Sequence, residues 1–175
     1  MQQTLFCLAA VLVFSVFGLS RHRAIAADAH AETRRATEAA ALATAERWAA
    51  TLQDAAFDEA DVPRTAMRLA GETAGLTPAA RFGPTEEATP AAFDDVDDYD
   101  GLDRSETARA ALGLVSVRVR IAVRYADPAT FAPAAGRTTA KVAVVTVTEV
   151  RTDGRTPATA SLPVRVTPAG QFLHA

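Results

Sequence analysis

Cysteine occurs once in this chain, as Cys7, and that scarcity closes several routes at once. No intramolecular disulfide can form, and no cysteine-based zinc site can be assembled. Cys7 lies inside an apolar run, where it reads as a small apolar filler. Leu5-Phe6 ahead of it is not the small residue that lipoprotein attachment needs. Histidine is nearly as scarce. His22 and His30 stand eight apart, not the four that would put two imidazoles on one helical turn, and His174 is remote from both. Ser105 beside Glu106 has no recognisable base, and no glycine-rich phosphate loop occurs. The residue combinations by which an enzyme site is recognised are missing, so the chain reads as a non-enzyme with no small-molecule substrate. The net charge of −3 argues against a nucleic-acid partner, which needs a basic surface. Lysine appears only as Lys141, and the arginine bias by itself decides nothing about function.

Charge is absent from Leu5 to Leu19 (LFCLAAVLVFSVFGL), and glycine and proline are absent from residues 21–56. A helix over residues 1–20 would rise about 30 Å, the hydrocarbon thickness of a bilayer. Arg21-His22-Arg23 ends the apolar run, and the Ala-, Glu- and Arg-rich stretch behind it continues the same helix as a polar stalk. The small-x-small site Ala24-Ile25-Ala26 lies beyond the basic cluster, a poor arrangement for signal cleavage, so a retained anchor is expected. Basic residues after the span, taken alone, predict a cytoplasmic C-terminal domain.

At 175 residues the chain has room for one membrane segment and one small domain. The organisation expected is a transmembrane helix at 1–20, a helical stalk at 21–56, an irregular region at 57–111 and an antiparallel sheet at 112–175. In the stalk, Leu42, Ala45, Ala49 and Leu52 recur at three- and four-residue steps with Trp48 on the flank, a stripe able to cover a sheet, with Trp48 in the core. Arg34 and Glu38 are spaced to pair on one helical face. Pro63, Gly71, Gly75, Pro78, Gly83, Pro84 and Pro90 break up the next region, leaving room for short strands near Ala66–Leu69 and Arg81–Phe82. From Val115 to Tyr125, valine, isoleucine and tyrosine alternate with serine, alanine and arginine, the pattern of a strand with one buried face and one arginine-bearing face. Thr139–Arg151 reads as a second strand and Ala158–Thr167 as a third, with Asp153-Gly154 at the turn and Pro163 marking an edge. The fold class is therefore α+β, one long N-terminal helix packed on a small antiparallel sheet of three or four strands.

The candidate site is FDDVDDYDGLD, Phe93 to Asp103. Asp94, Asp95, Asp97, Asp98 and Asp100 offer hard oxygens suited to calcium, or to a docking arginine, although their spacing does not match an EF-hand. The competing reading is an acidic loop that is solvated or paired with arginines such as Arg104 and Arg118.

The order of parts resembles type IV pilin-like proteins, in particular minor pilins and pseudopilins. Phe93 to Leu102 is similar to the acidic segment between helix and sheet in minor pilins of the mannose-sensitive haemagglutinin type. Ala45-Glu46-Arg47-Trp48 to Ala56-Phe57-Asp58-Glu59 is similar to that group's approach to the segment. The chain departs from the family in opening almost directly on the apolar run, without a basic leader, and in having no glutamate within Leu5–Leu19. It is expected either to be an unprocessed relative or to start upstream. The resemblance implies a single-pass protein of the bacterial cytoplasmic membrane with its head outside the cytoplasm. It also implies a structural or assembly role in a type IV pilus or type II secretion-like apparatus, with the membrane and other pilin-like subunits or assembly proteins as partners. The alternative is a bitopic membrane protein whose head is a protein-binding scaffold.

Overall fold

The computed structural model describes residues 2–62, 68–69, 71–84 and 89–168. A single helix, α1 (Gln2–Asp54), runs unbroken for 53 residues, about 80 Å at the α-helical rise. Nothing in residues 2–54 opposes it, since Gly18 is the only glycine and proline is absent. Its two halves differ in what covers them. From Phe6 to Leu19 the described large apolar side chains are 54 to 76% exposed. The exposure continues through Arg35, and burial begins only at Thr37. By length and composition this helix could cross a membrane.

Four strands follow: β1 (Asp103–Ala110), β2 (Gly113–Tyr125), β3 (Lys141–Glu149) and β4 (Thr159–Val166). They form one antiparallel sheet in the order β1-β2-β3-β4, so every connection joins neighbours. The period-two pattern of β2 is realised as expected: Val117, Val119, Ile121, Val123 and Tyr125 are buried, while Ser116, Arg118, Arg120, Ala122 and Arg124 are exposed. Register carries that parity into β3, where Lys141, Ala143, Val145 and Val147 share the buried face. Pro163 lies in the edge strand β4 opposite Val144, where its missing N–H costs no ladder bond on the open side. Gly154, with φ at 72°, turns the chain between β3 and β4 at the expected Asp-Gly pair.

The head half of α1 lies over the sheet, chiefly against β3 and β4. Its covered stripe is Thr37, Ala40, Ala41, Thr44, Ala45, Trp48, Ala49 and Leu52. Alanine brings the helix close to the sheet. Thr37 and Thr44 turn their hydroxyls back to the carbonyls of Thr33 and Ala40, which satisfies them without a partner on the sheet. Trp48 is core, as expected, with its ring edge-on to Tyr99 at 6.2 Å. Leu42 is not on the stripe. It is 46% exposed, because the helical phase that buries Ala41, Ala45 and Leu52 turns position 42 outward.

The region expected to be irregular as far as residue 111 ends earlier, at β1. The inward positions of that strand are Arg104, Glu106, Ala108 and Ala110, too polar to register as an alternating apolar pattern. It is held by pairing with β2 and by Glu106, which accepts from Arg47 and from Trp48 Nε1. Of the short strands expected earlier, positions 66 and 67 lie outside the described residues, and Arg68 and Leu69 are not in a strand. Arg81 closes a 3-10 turn, Ala79–Arg81, rather than opening a strand, because Pro78 and Gly83 leave only a tight turn between them.

Leu52 is fully buried between α1 and the sheet, so Leu52→Ala is expected to cost about 2–5 kcal/mol in a denaturant titration of the detergent-solubilised chain. Leu42→Ala, on the exposed side of the same helix, is expected to stay within about 0.5 kcal/mol.

Candidate functional site

The acidic segment is folded inward. Asp95, Val96, Asp97, Asp98 and Tyr99 are all buried, and Asp97–Tyr99 forms a 3-10 turn. The aspartates serve the segment's own backbone first. Asp95 Oδ1 accepts from the amides of Asp97 (2.6 Å) and Asp98 (3.1 Å). Asp98 Oδ2 accepts from the amides of Asp94 (3.2 Å) and Asp95 (3.3 Å). Short carboxylate side chains favour such local turns, which is why a run of aspartates forms a compact knot and not a repelled strand.

The knot is tied to three neighbours. At the end of α1, Ala56 donates to Asp94 O (2.8 Å) and accepts from Val96 N (2.9 Å). Gly83 donates to Asp97 O at 2.9 Å. On β2, Val123 N donates to Asp100 Oδ1 at 2.7 Å, and Gly101, with φ at 76°, donates to Ile121 O at 3.1 Å.

The charge at its centre is Lys141. This lysine is fully buried, and its Nζ donates to Asp97 Oδ2 (2.6 Å), Phe57 O (2.6 Å) and Asp58 Oδ2 (2.9 Å). The rings of Phe57, Phe82 and Tyr125 stand 4.4, 5.1 and 5.3 Å from the ammonium, their π-faces adding to its stabilisation. Asp58 also accepts from Thr77 N and from the Thr77 hydroxyl. Tyr125 Oη donates to Thr77 O at 2.7 Å, which closes the ring of contacts. The residue before the loop, the acidic segment and the start of β3 therefore meet on one ammonium.

Of the two arginines expected to pair with the acidic segment, one does so, at its last residue, and one does not. Arg118 bonds Asp103, outside the knot. The Arg104 guanidinium sits 5.7 Å from the Trp48 ring. Lys141 was the residue the sequence reading passed over. The available signal was a lone lysine at the inward parity of a strand otherwise filled by alanine and valine, a position that demands a buried counter-charge. Among the described residues, no group of three or more His, Cys, Asp or Glu side chains is disposed to hold a metal ion. Asp95 Oδ1, Asp98 Oδ2 and Asp100 Oδ1 are turned to backbone amides, and Asp97 Oδ2 to Lys141. Asp94, the exposed member, contributes its backbone carbonyl.

Three carboxylates around one ammonium do not titrate alike. Burial pushes the Asp97 carboxyl up to about 8, with Lys141 opposing, and its Oδ1 is buried without a hydrogen-bond partner among the described residues. Burial, aided by the charge of Asp98, pushes Asp95 up to about 7. At Asp58 burial also acts upward, but the charge and hydrogen bond of Lys141, with the Thr77 and Ala60 amides, hold it below its ordinary value. A cavity of about 740 Å³ borders the knot, lined by Asp95, Asp97 and Asp98 together with Arg81 and Arg137. The contacts around Lys141 hold the loop to the sheet.

Two outcomes follow from this geometry. Lys141→Met strands Asp58 and Asp97 in the interior and is expected to cost about 3–5 kcal/mol, with a larger loss at pH 8 than at pH 5, as read by urea unfolding. Asp95 and Asp97 are protonated more readily folded than unfolded, so the stability they add is complete below about pH 4 and declines as pH rises toward about 8. Asp58 acts with the opposite sign and withdraws its contribution as pH falls below the ordinary carboxylate value toward its lowered one. Asp97→Asn is expected to flatten the upper part of the alkaline decline in a series of thermal melts. Comparison of the chain with family models, curated proteins and solved structures found no match to any of them.

Proposed function

We propose that this chain is a membrane-anchored, pilin-like structural or assembly subunit of a type IV pilus or type II secretion-like apparatus. In this reading the anchor sits in the bacterial cytoplasmic membrane and the head outside the cytoplasm. The observation that carries the reading is the division of α1. Its first part presents Phe6, Leu8, Val11, Leu12, Val13, Phe14, Val16 and Phe17 with nothing over them, while its last part is the lid of the sheet. A helix built in this way needs an apolar surrounding that the described residues do not supply, and lipid or neighbouring apolar helices would provide it. The junction between the head and α1 also suits an assembly part. The acidic segment and Lys141 fasten the loop directly to the end of the helix, so force or position applied to the anchor reaches the sheet through Ala56 and Phe57. The resemblance of Phe93–Leu102 to the segment of minor pilins points the same way.

A photo-crosslinking amino acid at Phe14, in cells that make the protein at native level, is expected to capture other single-pass proteins through their apolar helices. Capture of lipid alone would remove the assembly role and leave a bitopic scaffold. In a Cys7→Ser background, a cysteine at Ser161 on the sheet is expected to react with a membrane-impermeant maleimide in intact spheroplasts. Labelling only after lysis would place the head in the cytoplasm and overturn the reading.

A further inference from the structure

The sheet face turned away from α1 carries more arginine than carboxylate. Register places Arg118, Arg120 and Arg124 of β2 on this face, and Arg165 joins them from β4. All four are exposed. Arg124 stands opposite Val142 and Val142 opposite Arg165, so two arginines flank one valine at the same end of the sheet. Thr146, Ser161, Thr148 and Thr159 extend the surface as small hydroxyls. Of the acidic side chains on the strands, Glu106 and Glu149 share the register position of the inward Val117, and Asp103 faces outward. A chain of net charge −3 thus gathers arginine on one face while its most acidic stretch is turned inside.

One bond on the face shows which anion it fits. Asp103 accepts two hydrogen bonds from Arg118, at 2.5 and 2.7 Å, and a third from Arg120 at 3.1 Å. Two parallel bonds from one guanidinium are the fork by which arginine selects a carboxylate. Arg124 has no acidic partner among the described residues, and the Arg165 guanidinium lies over the Phe131 ring at 4.6 Å. We propose that this face docks a carboxylate-rich polypeptide segment of another protein. Arg124 and Arg165 are its first holding points, and Arg118 and Arg120 join when the segment displaces Asp103. A second copy of this chain offers no exposed run of carboxylates among its described residues, because Asp95, Asp97 and Asp98 are used inside the head and the exposed acids of α1 (Asp28, Glu32, Glu38, Glu46 and Asp54) are spaced apart along the helix. A single-stranded nucleic acid is a poor occupant too, since no outward strand position carries an aromatic ring on which a base could stack, and the nearby Phe131 ring is covered by Arg165.

The test uses the full chain in a non-ionic detergent with fluorescein-labelled poly-L-glutamate as probe. Binding is expected at about 0.05 M salt and is expected to weaken steeply by about 0.5 M. The Arg124→Gln/Arg165→Gln variant, with an unchanged melting temperature, is expected to lose about tenfold in affinity, and Asp103→Asn, which frees Arg118 and Arg120, to gain about threefold. Arg21→Gln/Arg23→Gln on the stalk is expected to bind as the parent does. Failure to bind poly-L-glutamate at low salt, or an equal loss in the stalk variant, would overturn the proposal. Tighter binding of a phosphodiester polymer of matched charge through the same arginines would overturn it as well.

Discussion

The Lys141 ammonium is the interaction on which the head depends. An unpaired charge in that position would be very costly, and the fold surrounds it with Asp58, Asp97, a carbonyl and three aromatic rings. Those partners come from separate parts of the chain: Phe57 and Asp58 at the exit from α1, Phe82 in the loop, Asp97 in the acidic segment and Tyr125 at the end of β2. Satisfying one buried charge therefore fixes where each part must be. Hydrophobic burial supplies most of the driving force for a helix-on-sheet head. It is non-directional, and the knot adds the direction, selecting one docking of the loop over others of similar burial. The surplus of carboxylates over ammonium makes that selection sensitive to proton concentration, since Asp97 and Asp95 tolerate burial best when they hold a proton.

A second constraint is the thinness of the helix–sheet contact. The stripe on α1 is mostly alanine, relieved by Trp48 and Leu52 near its end. Alanine contributes little buried area per residue, so close approach of helix and strand must supply the packing that large side chains supply elsewhere. Such a helix is held firmly only where Trp48, Leu52 and Phe57 lie, which is also where the knot is. The grip on α1 is concentrated at its C-terminal end, and the part from Ala24 to Arg35 is left to stand exposed. A head fastened at one end of a long rigid rod can be held away from whatever surrounds the rod's other end.

The regular parts of this fold were legible because each carried a period. β2 alternates over its whole length, β3 and β4 are rich in β-branched residues, and the Asp-Gly turn and Pro163 marked a connection and an edge. α1 could be followed from the absence of glycine and proline. β1 was not legible, because its inward positions hold Arg104, which is exposed beside the Trp48 ring, and Glu106, which is half-buried and bonded to Arg47 and Trp48. Leu42 has the hydrophobicity of a stripe residue but not its phase, which the alanines set. At the site, the aspartates were visible as a cluster, but the sequence does not say whether a run of acids faces water or a cation. That answer depends on a lysine more than forty positions away, brought alongside by strand register.

The same register separates the two signs of charge in the head. Period-two alternation in β2 sends every second residue outward, and the outward set includes Arg118, Arg120 and Arg124. Were the acidic side chains turned outward, the head would carry carboxylates on its surface, where pairing with arginine contributes little. Folding the aspartates inward around Lys141 removes those carboxylates and leaves Asp103 to answer for two arginines at once. The head is therefore more basic on its outer face than its net charge of −3 suggests. An anionic partner approaching that face meets a field set by local arrangement, and within roughly a Debye length, about 8–10 Å at ordinary salt, the local charges outweigh the total. The burial that stabilises the loop is thus also what makes the opposite face of the sheet available for docking.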